Sequence, residues 1–239
     1  VRGFRFPAFS AAELEKRSRQ VGRKFADAQE SREMGNVDLR LEHMDRSGID
    51  IQVLHNTMFI EPATDRAVVE VALCKSWNRW LADIWRQGKG RLRWSCMAPT
   101  LSMTDALDQI RFAKENGACA VLMRPVEGNR LLADPYFYPI YEEARRLDMA
   151  IAIHIANGNA WLNDLCRHPV FTAAAFHRFR VPTVAAFHDL LLSDIPQTFP
   201  KLRWGFIEAS SQWLPWVLHE AKNRFKELGR EWPDNVARE

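Results

Sequence analysis

The stretch Ala150-Ile151-Ala152-Ile153-His154-Ile155 decides how the rest of the chain is read. β-Branched residues alternate with alanine, and turn-formers follow at Asn157-Gly158-Asn159, so the segment reads as a short strand. Successive side chains on a strand point to opposite faces. Ala150, Ala152 and His154 therefore share one face, and Ile151, Ile153 and Ile155 the other. This division suits a barrel strand: isoleucines under helices, alanines in the crowded interior, and a histidine at the carboxyl end, where parallel α/β sheets place their chemistry. A half-buried histidine bonded to a backbone carbonyl is the plainer reading, and the strand alone does not choose between them.

Working outward, four more strands are expected: Ile49 to Leu54, Leu92 to Met97, Cys119 to Met123 and Leu202 to Ile207. Helices fall between them. Asn36 to Arg46 stops at Gly48. A long helix from about Thr64 to Gln87 carries Trp77, Trp80, Leu81 and Ile84 at the spacing of a buried stripe. Further helices are read from about Thr104 to Asn116 and from Asp134-Pro135, an N-cap followed by proline, to Leu147. Pro169 to Phe199 reads as two helices parted near Val181-Pro182, and Gln212 to Leu228 as the last. Residues 1–35 read as an N-terminal segment with Phe4, Phe6 and Phe9, followed by a surface helix capped by Ser10 and Glu13. Strand and helix alternate as in βα units of a parallel sheet. With no linker or low-complexity tract, residues 1–239 are read as a single α/β domain. Five strands make it an open sheet or an incomplete barrel, since a closed (β/α)₈ barrel has eight.

Bulk properties exclude several classes. The net charge of +3 is too mild for a nucleic-acid partner, and the basic cluster Arg86, Lys89, Arg91 and Arg93 fits a solvated connection. No apolar run is long enough to cross a membrane, and Val1-Arg2-Gly3-Phe4 lacks the apolar core of a signal peptide. The absence of an initiator methionine means that residue 1 need not be the gene's first. Cys74, Cys96, Cys119 and Cys166 have no CxxC spacing and read as thiols of a reducing, cytoplasmic setting.

The expected strand ends gather His55 and Asn56, Pro99, Arg124, His154, and Glu208 with Trp213 nearby. Polar groups converging at one mouth make a site hypothesis. His55, Asn56, Arg124 and Trp213 are candidates for substrate contact, Glu208 for acid/base work from a partly desolvated position, and His154 for a metal. Each also has a structural reading: His55 as a loop residue, Arg124 as a helix cap or the partner of Glu127, Glu208 as the partner of an arginine. GxSxG, Walker A, GxGxxG, HExxH and His-x-His motifs are all absent.

The order of motifs resembles one family. Leu41-Glu42-His43-Met44-Asp45-Arg46-Ser47-Gly48-Ile49-Asp50-Ile51-Gln52-Val53-Leu54 is similar to its helix, glycine and second strand. Trp77-Asn78-Arg79-Trp80-Leu81-Ala82-Asp83 is similar to its N-x-x-L/W-A helix, Ile153-His154 to its fifth-strand metal histidine, and Phe199-Pro200-Lys201-Leu202 to its F-P-x-L lead into strand six. The family is the amidohydrolase-related group typified by aminocarboxymuconate-semialdehyde decarboxylase. The resemblance runs from about residue 36 over nearly all the chain. It implies a TIM-barrel-like fold of which strands two to six are recognisable, with strand one before residue 1 and strands seven and eight after residue 239. It also implies one divalent metal, zinc or manganese, held by strands one, five and eight; only the strand-five ligand, His154, is present. Strand six of many members ends in a catalytic histidine followed by glycines. Here that position is Glu208, in Glu208-Ala209-Ser210-Ser211.

The implied activity is a metal-dependent hydrolase or decarboxylase acting on a small carboxylated or cyclic molecule. The metal would activate a water against a carbonyl or polarise a carboxylated substrate. The alternative is an inactive or truncated relative that serves binding or assembly, and a small-molecule-binding domain without chemistry is a third reading. Two open sheet edges invite pairing with another chain, so a homo-oligomer is expected.

Overall fold

The computed structural model describes residues 29–57, 59–166 and 176–232. Five parallel strands form one sheet in the order β1 (Gln52–Leu54), β2 (Leu92–Met97), β3 (Ala118–Met123), β6 (Ala150–His154), β7 (Trp204–Ile207). Between β3 and β6 lies a small antiparallel hairpin, β4 (Val126–Glu127) and β5 (Arg130–Leu131). The helices are α1 (Gln29–Arg32), α2 (Val37–Arg46), α3 (Ala67–Gln87), α4 (Met103–Glu115), α5 (Tyr138–Arg146), α6 (Ala160–Leu165), α7 (Val181–Leu192), α8 (Ile195–Thr198) and α9 (Leu214–Glu227). The arrangement is a half-barrel, the incomplete TIM-barrel form expected. No helix among the described residues is long and apolar enough to cross a membrane.

Strand alternation sorts the core as the β6 sequence requires. Ile151 and Ile153 join Val121, Met123, Trp94 and Cys96 in the main core, packed with Leu81, Ile84, Ile110 and Ile140 from the helices. Ala152, Ala120, Leu122 and Met97 form a second, smaller cluster on the other face. Small residues there leave room at the concave side, and branched residues fill the space under the helices. The β2–β3 register shifts by one residue, with Trp94 opposite Ala118 but Ser95 opposite Ala120. The extra residue on β3 is Cys119, a bulge that lets the alternation resume beyond it.

Several boundaries differ from the sequence reading for local reasons. The first strand is only Gln52–Leu54. Asn36 lies outside α2 and caps it, its side chain accepting from the Leu39 N–H, while Gly48 adopts φ 64° just past the end. The long helix starts at Ala67, after Thr64 Oγ1 has accepted from the Arg66 N–H. Asp134 caps a 3₁₀ turn over Pro135–Phe137, which leads into α5. Near Val181-Pro182 a π-helical turn, Phe176–Arg180, runs directly into α7; any helix in residues 167–175 lies outside the described residues, as do Phe4, Phe6, Phe9 and the Ser10–Glu13 cap. Trp80 was expected in the buried stripe, but it is 40% exposed and meets Trp77 with the rings tilted at 53°, while Leu81 and Ile84 are buried. The β4–β5 hairpin was missed, although Gly128-Asn129 between its strands is a hairpin-turn pair.

The face assignment has a direct test by chemical denaturation. Ile151→Ala, at a fully buried site, is expected to cost about 2–5 kcal/mol. Ile51→Ala, just before the β1 edge strand and 61% exposed, is expected to cost less than about 0.5 kcal/mol. Equal losses at both sites contradict the assignment.

Candidate active site

All five strands run the same way, so their carboxyl ends open on one mouth. His154 closes β6 there and is 4% exposed. Its Nδ1 lies 3.1 Å from the Ile155 carbonyl oxygen. A carbonyl can only accept, so Nδ1 carries the hydrogen and Nε2 is the nitrogen left to face Glu208. The backbone-bonded reading of this residue and the metal-ligand reading are therefore compatible, because a metal-binding histidine is commonly fixed through its other nitrogen.

Glu208 follows from the β6–β7 register. His154 pairs with Ile207, and the Ile155 N–H donates to the Ile207 carbonyl at 3.1 Å. Continued alternation would turn the next side chain to the helix side. Instead Glu208 adopts φ 61°, a left-handed conformation costing on the order of 1 kcal/mol for a residue other than glycine. Its Oε2 ends 3.6 Å from His154 Nε2. The expectation of a partly desolvated carboxylate is corrected: the side chain is 53% exposed, because β7 is an edge of the described sheet. Ser210 is left-handed as well, at φ 65°.

His55, one residue past β1, lies across the mouth with its ring centroid 6.3 Å from that of His154. It sits beside the fully buried Ser95. The Ser95 hydroxyl donates to the Leu54 carbonyl at 3.4 Å, which leaves Oγ to accept from His55 Nδ1 at 3.0 Å. Burial, and then the neighbouring His154, push the His55 pKa below its ordinary value of 6.5. Next to it, buried Asn56 turns the following loop by accepting from the Phe59 N–H at 3.0 Å. That loop crosses the mouth: the Ile60 carbonyl accepts from the Asn157 N–H at 2.8 Å, and Glu61 pairs with Arg178.

Arg124 lies at the end of β3 on the wall of a small cavity that also includes Asn56, Met97, Leu122, Glu127 and His154. Of the uses open to it, pairing with Glu127 is what the geometry shows. Nη2 and Nε donate to one Glu127 oxygen at 2.5 and 2.9 Å, and the Arg124 N–H donates to the other at 2.8 Å. A second carboxylate, Glu70 of α3, stands 3.9 Å from Nη2 and accepts from the Leu101 N–H at 2.8 Å. Burial opposes the Arg124 charge, but Glu127 outweighs it and the guanidinium pKa rises. Burial raises the Glu70 pKa. It also pushes the nearby Cys74 thiol up to about 12, so that thiol is inert. Gly158 seals this corner: its N–H donates to the Val126 carbonyl at 2.8 Å, and a Cβ there would lie 2.3 Å from the same oxygen. Trp213 belongs to a different neighbourhood. Its indole donates to the Ala209 carbonyl at 2.8 Å and its rings meet Phe187 and Phe206 edge-on, so it holds the loop that follows Glu208.

The structure thus brings His154, Glu208 and His55 together, puts Arg124 and Asn56 on the adjoining wall, and sets Trp213 behind. Glu127 was named from sequence only as a partner for Arg124, and Glu70 and Ser95 were not singled out; Ser95 and Arg124 share the alternation that turns His55 inward, which was the available signal. Among the described residues no three His, Cys, Asp or Glu side chains converge as a metal-binding group.

A half-barrel of parallel strands with a histidine fixed at the carboxyl end of β6 is an incomplete TIM-barrel fold of the amidohydrolase type. The amidohydrolase family profile matches residues 25–233, and the chain belongs to the amidohydrolase family. Solved structures agree on the fold. 5-Carboxyvanillate decarboxylase LigW from Sphingomonas paucimobilis superposes with a TM-score of 0.64 at 19% identity, over 80% of this chain and 57% of that one. 2,6-Dihydroxybenzoate decarboxylase complexed with 2,6-dihydroxybenzoate gives 0.68 at 16%, over 95% and 69%. The LigW2 enzyme from Novosphingobium aromaticivorans, with bound manganese, gives 0.62 at 22%, over 81% and 57%. The chain spans 57% of the length of LigW and of LigW2, little more than half of each. No curated protein matches it by sequence.

Two outcomes follow from the geometry. Glu127→Gln leaves the Arg124 charge buried beside only the more distant Glu70, and is expected to cost about 3 kcal/mol in urea unfolding; a loss below about 0.5 kcal/mol contradicts the wall as described. His55 binds its proton less readily folded than unfolded, so the stability linked to it is complete above pH 6.5 and is lost as pH falls through the lowered folded value. Stability is therefore expected to decline below pH 6.5 in the parent, with a shallower slope in His55→Gln; parallel slopes contradict it.

Proposed function

We propose that this chain forms the central part of a metal-dependent enzyme, a decarboxylase or hydrolase acting on a small carboxylated or cyclic substrate. One observation carries the reading: His154 is buried at the mouth with Nδ1 committed to a carbonyl and Nε2 left to face the mouth. These are the requirements for one metal ligand; the described residues hold no group of three that would complete a site. A divalent ion, zinc or manganese, would there supply Lewis-acid stabilisation of charge developing on the substrate.

The chain's own residues do the rest. Met97 and Leu122 give the cavity an apolar floor that excludes water. Arg124 stands in its wall with its charge met by Glu127 and, at longer range, Glu70, and Asn56 shapes the loop that roofs it. His55 presents a neutral imidazole toward the same space, and Trp213 steadies the loop carrying Glu208, the carboxylate of the site. Relatives of this fold that decarboxylate 5-carboxyvanillate and 2,6-dihydroxybenzoate support decarboxylation over hydrolysis. No observation favours an inactive relative. A homo-oligomer formed through the open strand edges and a cytoplasmic setting remain part of this proposal.

The reading is tested by equilibrium dialysis of the full chain against Zn²⁺ or Mn²⁺ with elemental analysis. About one equivalent is expected for the parent and a loss of ten-fold or more in affinity for His154→Ala. Unchanged metal content in the variant contradicts it.

A further inference from the structure

Arg124, Arg178 and Arg180 all reach the mouth, but their charges are met differently. In Arg124 every side-chain nitrogen is engaged: Nε and Nη2 donate to Glu127, Nη1 donates to the Phe59 carbonyl at 3.5 Å, and Glu70 stands beyond. Two carboxylates face that one cation, so an anion arriving there meets net repulsion. Arg178 is 9% exposed and ion-paired with Glu61. An anionic ligand could recruit either guanidinium only by leaving a carboxylate without its partner, at a high desolvation cost.

Arg180 differs on each count. It closes the π-helical turn Phe176–Arg180, two residues after Arg178, so the two side chains leave the turn on different sides. It is exposed and makes no ion pair among the described residues. Its Nη1 donates to the Glu208 backbone carbonyl at 3.4 Å, a long bond that uses one of five N–H donors. Glu208 is also the residue whose Oε2 lies 3.6 Å from His154 Nε2. The carbonyl contact therefore stations a charged fork on the β7 side of the mouth, next to His154, while the neutralised Arg124 stands on the β3 side.

We infer that Arg180 is the specificity-determining residue for the anionic group of the ligand: it takes a small carboxylate through paired N–H···O bonds, and Arg124 does not. This rests on the reading that the mouth receives a small carboxylated molecule. The division of labour follows from burial. Arg124 spends its charge on joining a strand end to a hairpin, whereas Arg180 keeps its charge hydrated until a ligand replaces that water.

Calorimetric titration of the full chain with benzoate, salicylate and vanillate, each beside its uncharged carboxamide, provides the test. The parent is expected to bind at least one of the acids more tightly than its amide. Arg180→Gln is expected to weaken binding of that acid by about ten-fold, the scale of one hydrogen bond between charged groups, and to leave the amide's affinity and the circular dichroism unchanged. Arg180→Lys, which keeps the charge but loses the fork, is expected to recover part of the loss. If Arg180→Gln binds the acid as the parent does, the inference is overturned and the small-carboxylate reading stands. If the variant loses acid and amide equally, Arg180 acts on shape and not on charge, and the inference is again overturned. If the parent binds none of the acids, both fail.

Discussion

One hydrogen bond governs the chemistry available at the mouth: the donation from His154 Nδ1 to the Ile155 carbonyl. An imidazole that turns over could offer either nitrogen, and a metal ligand or a proton acceptor needs one of them fixed. Here the strand end supplies the acceptor, so the folded backbone itself sets the tautomer. At this strand end β6 stays in register with β7 to its last residue, with Ile207 opposite His154. That register depends in turn on the isoleucine face of β6 being buried under helices. Core packing and site chemistry are thus two consequences of one alternating pentapeptide.

The wall around this imidazole is built from charges that neutralise one another. Arg124, Glu127 and Glu70 come from a strand end, a hairpin and a helix, and their hydrogen bonds tie these elements together. Such a buried group is weak evidence for net stability, because desolvation offsets much of the attraction. Its geometry is specific, however. The Arg124 N–H and guanidinium both reach Glu127, which sets the hairpin at the rim, and Gly158 permits the close approach of the β6 loop to that hairpin. Opposite this wall, the Ser95 hydroxyl does for His55 what the Ile155 carbonyl does for His154.

The parallel sheet, the two faces of β6 and the place of His154 were all readable in the sequence, because a two-residue period carries that information directly. The family assignment was readable from the order of short motifs. Other features were not, for definite reasons. The neighbour of Glu208 depends on a positive φ that no residue type announces, since Glu208 and Ser210 are not glycines. Its exposure depends on strand order, with β7 at an edge. The exposure of Trp80 reflects a stripe on α3 narrower than its spacing suggested. Pairing with Glu127 was one of several uses open to Arg124, but choosing it required the β4–β5 hairpin, which folds Glu127 back.

The account stands or falls on which nitrogen of His154 bears hydrogen. Long-range ¹H–¹⁵N spectra of the histidine-labelled chain at neutral pH measure this directly. The account predicts a protonated Nδ1 and an Nε2 with lone-pair character whose resonance shifts on adding Zn²⁺. An Nε2–H tautomer at His154, or an Nε2 resonance indifferent to Zn²⁺, contradicts it.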